Sequence, residues 1–102
     1  MSIRKQHLKS RPICKVTFRL PREEAGFADS VYLVGEFNDW DREAFPMKRH
    51  KNGTFSASLN LEPGKEYQFR YLLDGAVWEN DWNADKYVET PFGNGDNSVI
   101  VT

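Results

Sequence analysis

A chain of 102 residues that is 39% hydrophobic and 14% aromatic has apolar material for one ordinary core and no second. Its formal net charge of -1 excludes a global field that would hold nucleic acid or a membrane surface, so any partner must be selected locally. The lone cysteine, Cys14, excludes an internal disulfide and fits a reducing compartment.

Residues 1–11 are polar and carry Arg4, Lys5, Lys9 and Arg11, with no apolar run of signal-peptide or membrane-spanning kind. They read as a flexible basic arm ahead of a domain over residues 12–102, and the chain reads as cytoplasmic. The first strand signal is period-two alternation: Cys14, Val16, Phe18 and Leu20 share one face, and Lys15, Thr17 and Arg19 take the other. Ser30 to Phe37 is almost continuously apolar, the pattern of a central strand covered on both sides or of one entering a crowded corner. Phe45 to His50 predicts a short strand, Asn52-Gly53 a hairpin turn, and Thr54 to Leu61 the return, with Phe55, Ala57, Leu59 and Leu61 facing inward.

Pro63-Gly64 ends that run. Tyr67, Phe69, Tyr71 and Leu73 then alternate with Gln68, Arg70 and Leu72, Asp74-Gly75 supplies a second hairpin turn, and Val77-Trp78 begins the next strand. Glu79 to Asp96 reads as a long surface loop before a last strand at Ser98 to Thr102. About seven short strands with regular turn signals and no helical periodicity make the fold all-β, an antiparallel sandwich of immunoglobulin-like type.

Little in the chain suits catalysis. Nucleophilic catalysis needs an activated Ser or Cys beside a base, whereas Cys14 lies on an apolar strand face and reads as buried and inert. His7 and His50 have no partner at metal-ligand spacing, so no metal or other cofactor is expected. The loop carboxylates Asp81, Asp85 and Asp96 lack the dense ligand pattern of a calcium loop and read as solvated charges. Glycoside hydrolysis needs two carboxylates across a deep cleft; Asp39, Asp41, Asp74 and Glu79 supply carboxylates, which turns also favour, but a domain this small has little cleft to offer. The aromatic group is more informative: Trp40, Trp78 and Trp82 all fall at strand ends or in loops, Trp82 being the one most expected to plug a satellite core.

Gly35-Glu36-Phe37-Asn38-Asp39-Trp40 resembles the Gly-x-Phe-Asn-x-Trp signature of family 48 carbohydrate-binding modules, also called isoamylase early-set domains. Gly53-Thr54-Phe55, Pro63-Gly64, Tyr67 to Tyr71, Leu73-Asp74-Gly75, Trp78 and Asn97 to Val101 follow in the family's order. The resemblance covers about residues 14–102. Members stand at the amino end of glycogen-branching and debranching enzymes, which act on α-glucans, and form the glycogen-binding domain of AMP-activated protein kinase beta subunits.

The resemblance implies a stand-alone, non-catalytic module for α-1,4-glucan of the glycogen, starch or maltooligosaccharide type. By it, Trp40 and Trp78 are the aromatic platforms for glucose rings, and Arg70 and Asn97 bond sugar hydroxyls. The pattern departs in two places. Gly93 and Gly95 stand where the kinase subunits carry a Leu and a Thr that clasp the glucan, with Phe92 or Trp82 as candidate substitutes, and the hairpin before Trp78 is one residue longer. The alternative is a glucan-independent protein-interaction or accessory domain that docks on a glycogen-metabolising enzyme or another partner through the same aromatic patch or a sheet edge.

Overall fold

The computed structural model describes residues 3–90 and 95–102, and over them two antiparallel sheets pack face to face as a β-sandwich. One sheet runs β1-β2-β5-β4, from strands β1 (Ile3–His7), β2 (Cys14–Leu20), β4 (Lys48–Arg49) and β5 (Phe55–Leu61). The other runs β3-β6-β9-β8, from β3 (Val31–Gly35), β6 (Glu66–Leu73), β8 (Lys86–Glu89) and β9 (Asp96–Val101), with β7 (Val77–Glu79) also paired to β6.

Alternation in the sequence places the core. Cys14, Val16, Phe18 and Leu20 are wholly buried and meet Phe69 and Tyr71 from the facing sheet. Phe18 and Phe69 pack edge to face with centroids 5.0 Å apart, the arrangement that aromatic quadrupoles favour. Phe55 and Leu61 close the core from β5, and Ala57 and Leu59 pack against it partly buried. The turns follow their residues: Gly53 at φ 88° closes β4 onto β5, with the His50 amide donating to the Thr54 carbonyl at 2.8 Å.

Three elements differ from the sequence expectation. Ile3–His7 pairs with β2 along its whole length, from Ile3 opposite Phe18 to His7 opposite Cys14. A strand made of Arg, Lys, Gln and His shows no alternation, yet its backbone groups pair regardless of side chain, and Ile3 caps the core. Lys86–Glu89 likewise forms β8 inside the stretch read as loop.

The apolar run at β3 does not mark a central strand. β3 lies at the sheet edge, and β6 is central. That edge is covered where Leu33 donates to the Phe45 carbonyl at 2.9 Å and Met47 to the Val31 carbonyl at 2.8 Å, before the chain crosses to β4. One helical turn, α1 (Arg22–Ala25), is too short to show a period and stops at Gly26.

Candidate functional site

Side chains that alternate away from the core on the five-stranded sheet build an outer face. Register places Val34 opposite Arg70, Leu72 opposite both Tyr32 and Trp78, and Gln68 opposite Val99. Val34, Leu72 and Val99 are buried although they stand outside the core cluster, so this outer face has an apolar floor of its own.

The Gly35 to Trp40 segment supplies one edge of the face, and each of its residues has a mechanical reason. A Cβ on Gly35 would fall 2.5 Å from the Gln68 carbonyl oxygen and 2.7 Å from Phe69 Cβ, so only glycine lets β3 approach β6 there. Phe37 leaves the following 3-10 turn (Glu36–Asn38) to pack among Phe18, Phe45, Tyr67 and Phe69. Asn38 pins the loop from both ends: its Oδ1 accepts from the Gly35 amide and its Nδ2 donates to the Leu33 carbonyl, each at 3.0 Å. Asp39 and Trp40 follow at φ 54° and 60°, and the Trp40 amide returns to the Gly35 carbonyl at 2.8 Å. Two left-handed residues in sequence reverse the chain and leave Trp40 38% exposed.

Trp78 is 37% exposed on β7. The hairpin before it is a loop of Asp74, Gly75 and Ala76, closed by the Ala76 amide on the Leu73 carbonyl at 3.0 Å. Asp74 does more than turn the chain, since its Oδ1 accepts from the amides of Asp29 and Ser30 at 2.8 and 3.0 Å. With Trp78 opposite Leu72, the longer hairpin still delivers the indole to the outer face. The Arg42 guanidinium lies 5.5 Å from the Trp78 ring centre and ties the Trp40 turn to β7.

Arg70 and Trp78 line one shallow cavity of about 180 Å³ with Glu79, Asn80, Gly95 and Asp96. The Arg70 guanidinium is not loose. Its Nε and Nη2 donate to the Asp96 carbonyl at 3.1 and 2.8 Å, and the Asn80 Nδ2 donates to the same oxygen at 2.9 Å. A Cβ on Gly95 would sit 3.7 Å from Arg70 Nη2, and φ 108° explains the glycine there. Asn97 shares the face but is only 7% exposed, with Nδ2 bonded to Gln68 Oε1 at 2.9 Å. The structure thus joins Arg70 to Trp78 directly, brings Arg42, two residues after Trp40, onto the Trp78 ring, and leaves Asn97 largely covered. Gly93 and Phe92 lie outside the described residues.

Two expectations are corrected beneath this face. Asp81 is wholly buried, not solvated: its Oδ2 accepts from the Tyr71 hydroxyl at 2.7 Å and its Oδ1 from the Asn83 amide at 2.7 Å. Burial, followed by the Asp81 charge and hydrogen bond, holds the Tyr71 phenol well above its ordinary value of 10.0. Ser98 joins this pair to Asn80, donating from Oγ to Asn80 Oδ1 at 2.8 Å and accepting from the Asp81 amide at 2.9 Å. Trp82, for its part, is 61% exposed instead of plugging a satellite core, with its indole N–H directed at Glu79 Oε1 at 3.4 Å. Tyr71 on an apolar strand face was the signal for the first, because a buried hydroxyl requires a partner.

Residues 23–102 match the family described as the glycogen recognition site of AMP-activated protein kinase. The chain belongs to this family. Among the chain's relatives, the protein FLOURY ENDOSPERM 6, chloroplastic, of Oryza sativa subsp. japonica is 43% identical over 53% of this chain and 10% of its own length. Protein PTST homolog 2, chloroplastic, of Arabidopsis thaliana is 35% identical over 74% of this chain and 13% of its own. The 5'-AMP-activated protein kinase subunit beta-1 of Sus scrofa is 36% identical over 74% of this chain and 57% of its own. The chain thus spans from a tenth to a little over half the length of these relatives. The cytoplasmic expectation is overturned by the first two, which are chloroplastic proteins; the composition of this domain carries no information about an organelle address.

Proposed function

We propose that this domain is a non-catalytic module that binds α-1,4-linked glucan on the outer face of its five-stranded sheet, with Trp40 and Trp78 as platforms and Arg70 as the principal hydrogen-bond donor. The observation that carries the reading is the pairing, in a chain of the glycogen-recognition family, of an exposed indole with a fixed guanidinium in one shallow cavity. A pyranose exposes C–H groups on its faces and hydroxyls at its edge, so a ring beside a directed donor addresses both parts of one sugar. The buried carboxamide of Asn97 acts mainly by orienting Gln68, to which its Nδ2 donates.

Affinity follows from the sizes involved. A stacked ring that removes about 100 Å² of apolar surface from water contributes about 2.5 kcal/mol. Two platforms and a few hydrogen bonds of about 1 kcal/mol each, against association costs of at least about 4 kcal/mol, give a Kd from tens of micromolar to millimolar. Repetition along a polymer compensates for weak single sites. In the longer proteins to which such a domain belongs, this binding would hold a glucan-acting partner or segment on its polymer.

Titration of maltoheptaose and β-cyclodextrin into the protein and into Trp40→Ala and Trp78→Ala, followed by tryptophan fluorescence, tests the reading. Saturable binding that either substitution weakens at least tenfold, with cellohexaose inert as the linkage control, is the expected outcome. No response to several millimolar in the unsubstituted protein would sink it. Shortened products after prolonged incubation would overturn the non-catalytic assignment.

A further inference from the structure

The net charge of -1 conceals a segregation of charge that only the fold reveals. None of the 15 acidic residues falls on β1, β2, β4 or β5, whereas Arg4, Lys5, Lys15, Arg19, Lys48 and Arg49 all do. On the outer face of this four-stranded sheet, register builds three rungs: Gln6, Lys15 and Asn60; Arg4, Thr17 and Ser58; Arg19, Ser56 and Lys48. Arg4, Lys15, Arg19 and Lys48 are exposed, and none forms an ion pair with a described residue. The spaces between them hold short polar groups, with Thr17 and Ser58 hydroxyls bonded at 3.0 Å. A hollow of about 560 Å³ lined by Thr17, Arg19, His50, Lys51, Asn52 and Ser56 extends the face past β4 without an acidic group.

We propose that this face is a second binding surface, on the opposite side of the sandwich from the candidate glucan face, and that it takes an extended acidic polypeptide segment of a partner protein. Charge complementarity selects the anion, and the shape of the face selects the class. No rung carries an aromatic ring, so the face has no platform for glucose or for unpaired bases. It measures only about 15 Å on a side, and the rest of a molecule of net charge -1 is acidic, so a membrane or a long duplex would meet repulsion beyond its rim. Screening over about 8 Å at physiological salt leaves the patch itself cationic to a short ligand. Alternate residues of an extended chain are about 7 Å apart, which equals the rung spacing, so carboxylates at every second position meet a cation or hydroxyl at each rung.

The test uses a short peptide of strictly alternating glutamate and serine, acetylated and amidated at its ends, added to isotope-labelled protein and followed by amide chemical shifts. Its block isomer, with all the glutamates ahead of all the serines, is the spacing control. Shifts confined to residues 4–6, 15–19, 48–52 and 56–60, tighter binding of the alternating peptide than of the block isomer, and at least tenfold weakening by Arg19→Glu with Lys48→Glu are expected. The charge-neutral pair Arg19→Gln and Lys48→Gln, whose fold is checked by circular dichroism, should weaken binding as well. Maltoheptaose affinity should stay unchanged in these variants, which separates a failure here from a failure of the glucan reading. No shift at millimolar peptide, shifts centred on Arg70 and Lys86, or tighter binding of a ten-base-pair DNA duplex or phosphatidylserine vesicles would overturn the proposal.

Discussion

Arg42 lies with its guanidinium carbon 5.5 Å from the centre of the Trp78 ring, on an indole that is more than a third exposed. Such a contact at the surface is worth about 0.5–1 kcal/mol, and a glucose ring that stacks there must displace it. Arg42→Ala is therefore expected to tighten maltoheptaose binding by about two- to fivefold in calorimetry. Weaker binding would show instead that Arg42 bonds the sugar itself. Trp40 allows a second test at the same scale, since a bulky residue at φ 60° carries strain that glycine does not. Trp40→Gly is expected to be about 1 kcal/mol more stable than Trp40→Ala in urea, the reverse of the usual order, although both lose the ring. The opposite order would mean that the turn does not hold φ positive in solution.

At the scale of elements, the loop that carries Trp40 is held by Asn38, whose one carboxamide serves the Gly35 amide and the Leu33 carbonyl. Asn38→Ala leaves both part-buried groups without their partner and should cost about 1–3 kcal/mol, with glucan affinity falling alongside because the ring loses its position. A stability loss without any change in affinity would show that the turn is set by its backbone alone. The signature Gly35 to Trp40 was plain in the sequence, but its reason was not: the glycine answers to the Gln68 carbonyl on another strand, and Phe37 to a cluster assembled from several elements. Alternation similarly exposed β2, β5 and β6, because each buries one face. It failed for β1, which is polar on both faces and joined by backbone hydrogen bonds that no side-chain pattern reports.

Across the whole molecule, the aromatic cluster about Phe18 binds the sheets together, and Phe18→Ala should cost about 3–5 kcal/mol, much of the stability of a domain this size. Chemical denaturation that moved its midpoint only slightly would place the centre of the core elsewhere. Glu24, on the single turn of α1, links this core to the loop after β7 by accepting from the Trp82 amide at 3.3 Å. Burial, opposed by that hydrogen bond and reinforced by the charges of Asp81, Glu79 and Glu23, raises its carboxyl above the ordinary value of 4.5. In the interval between those two values the folded chain holds the proton that the unfolded chain has released, so this group's contribution is full below 4.5 and is lost as pH rises through the folded value. Glu24→Gln should flatten that decline, measured as the denaturation midpoint from about pH 4 to 7; an unchanged slope would assign it to other groups.

The sequence by itself determined the sandwich class, the inward faces of its main strands, the two hairpin turns and the family, because periodicity and turn chemistry are local and a signature is linear. Only the tertiary structure decided that β3 is an edge, that Asp81 is buried against Tyr71, that Arg70 is anchored on the Asp96 carbonyl, and that a nearly neutral chain presents one sheet whose strands carry cations and no acidic residue. These depend on which strands become neighbours, and residues separated by tens of positions acquire partners, burial and a shared electrostatic field only when the sheets close on one another.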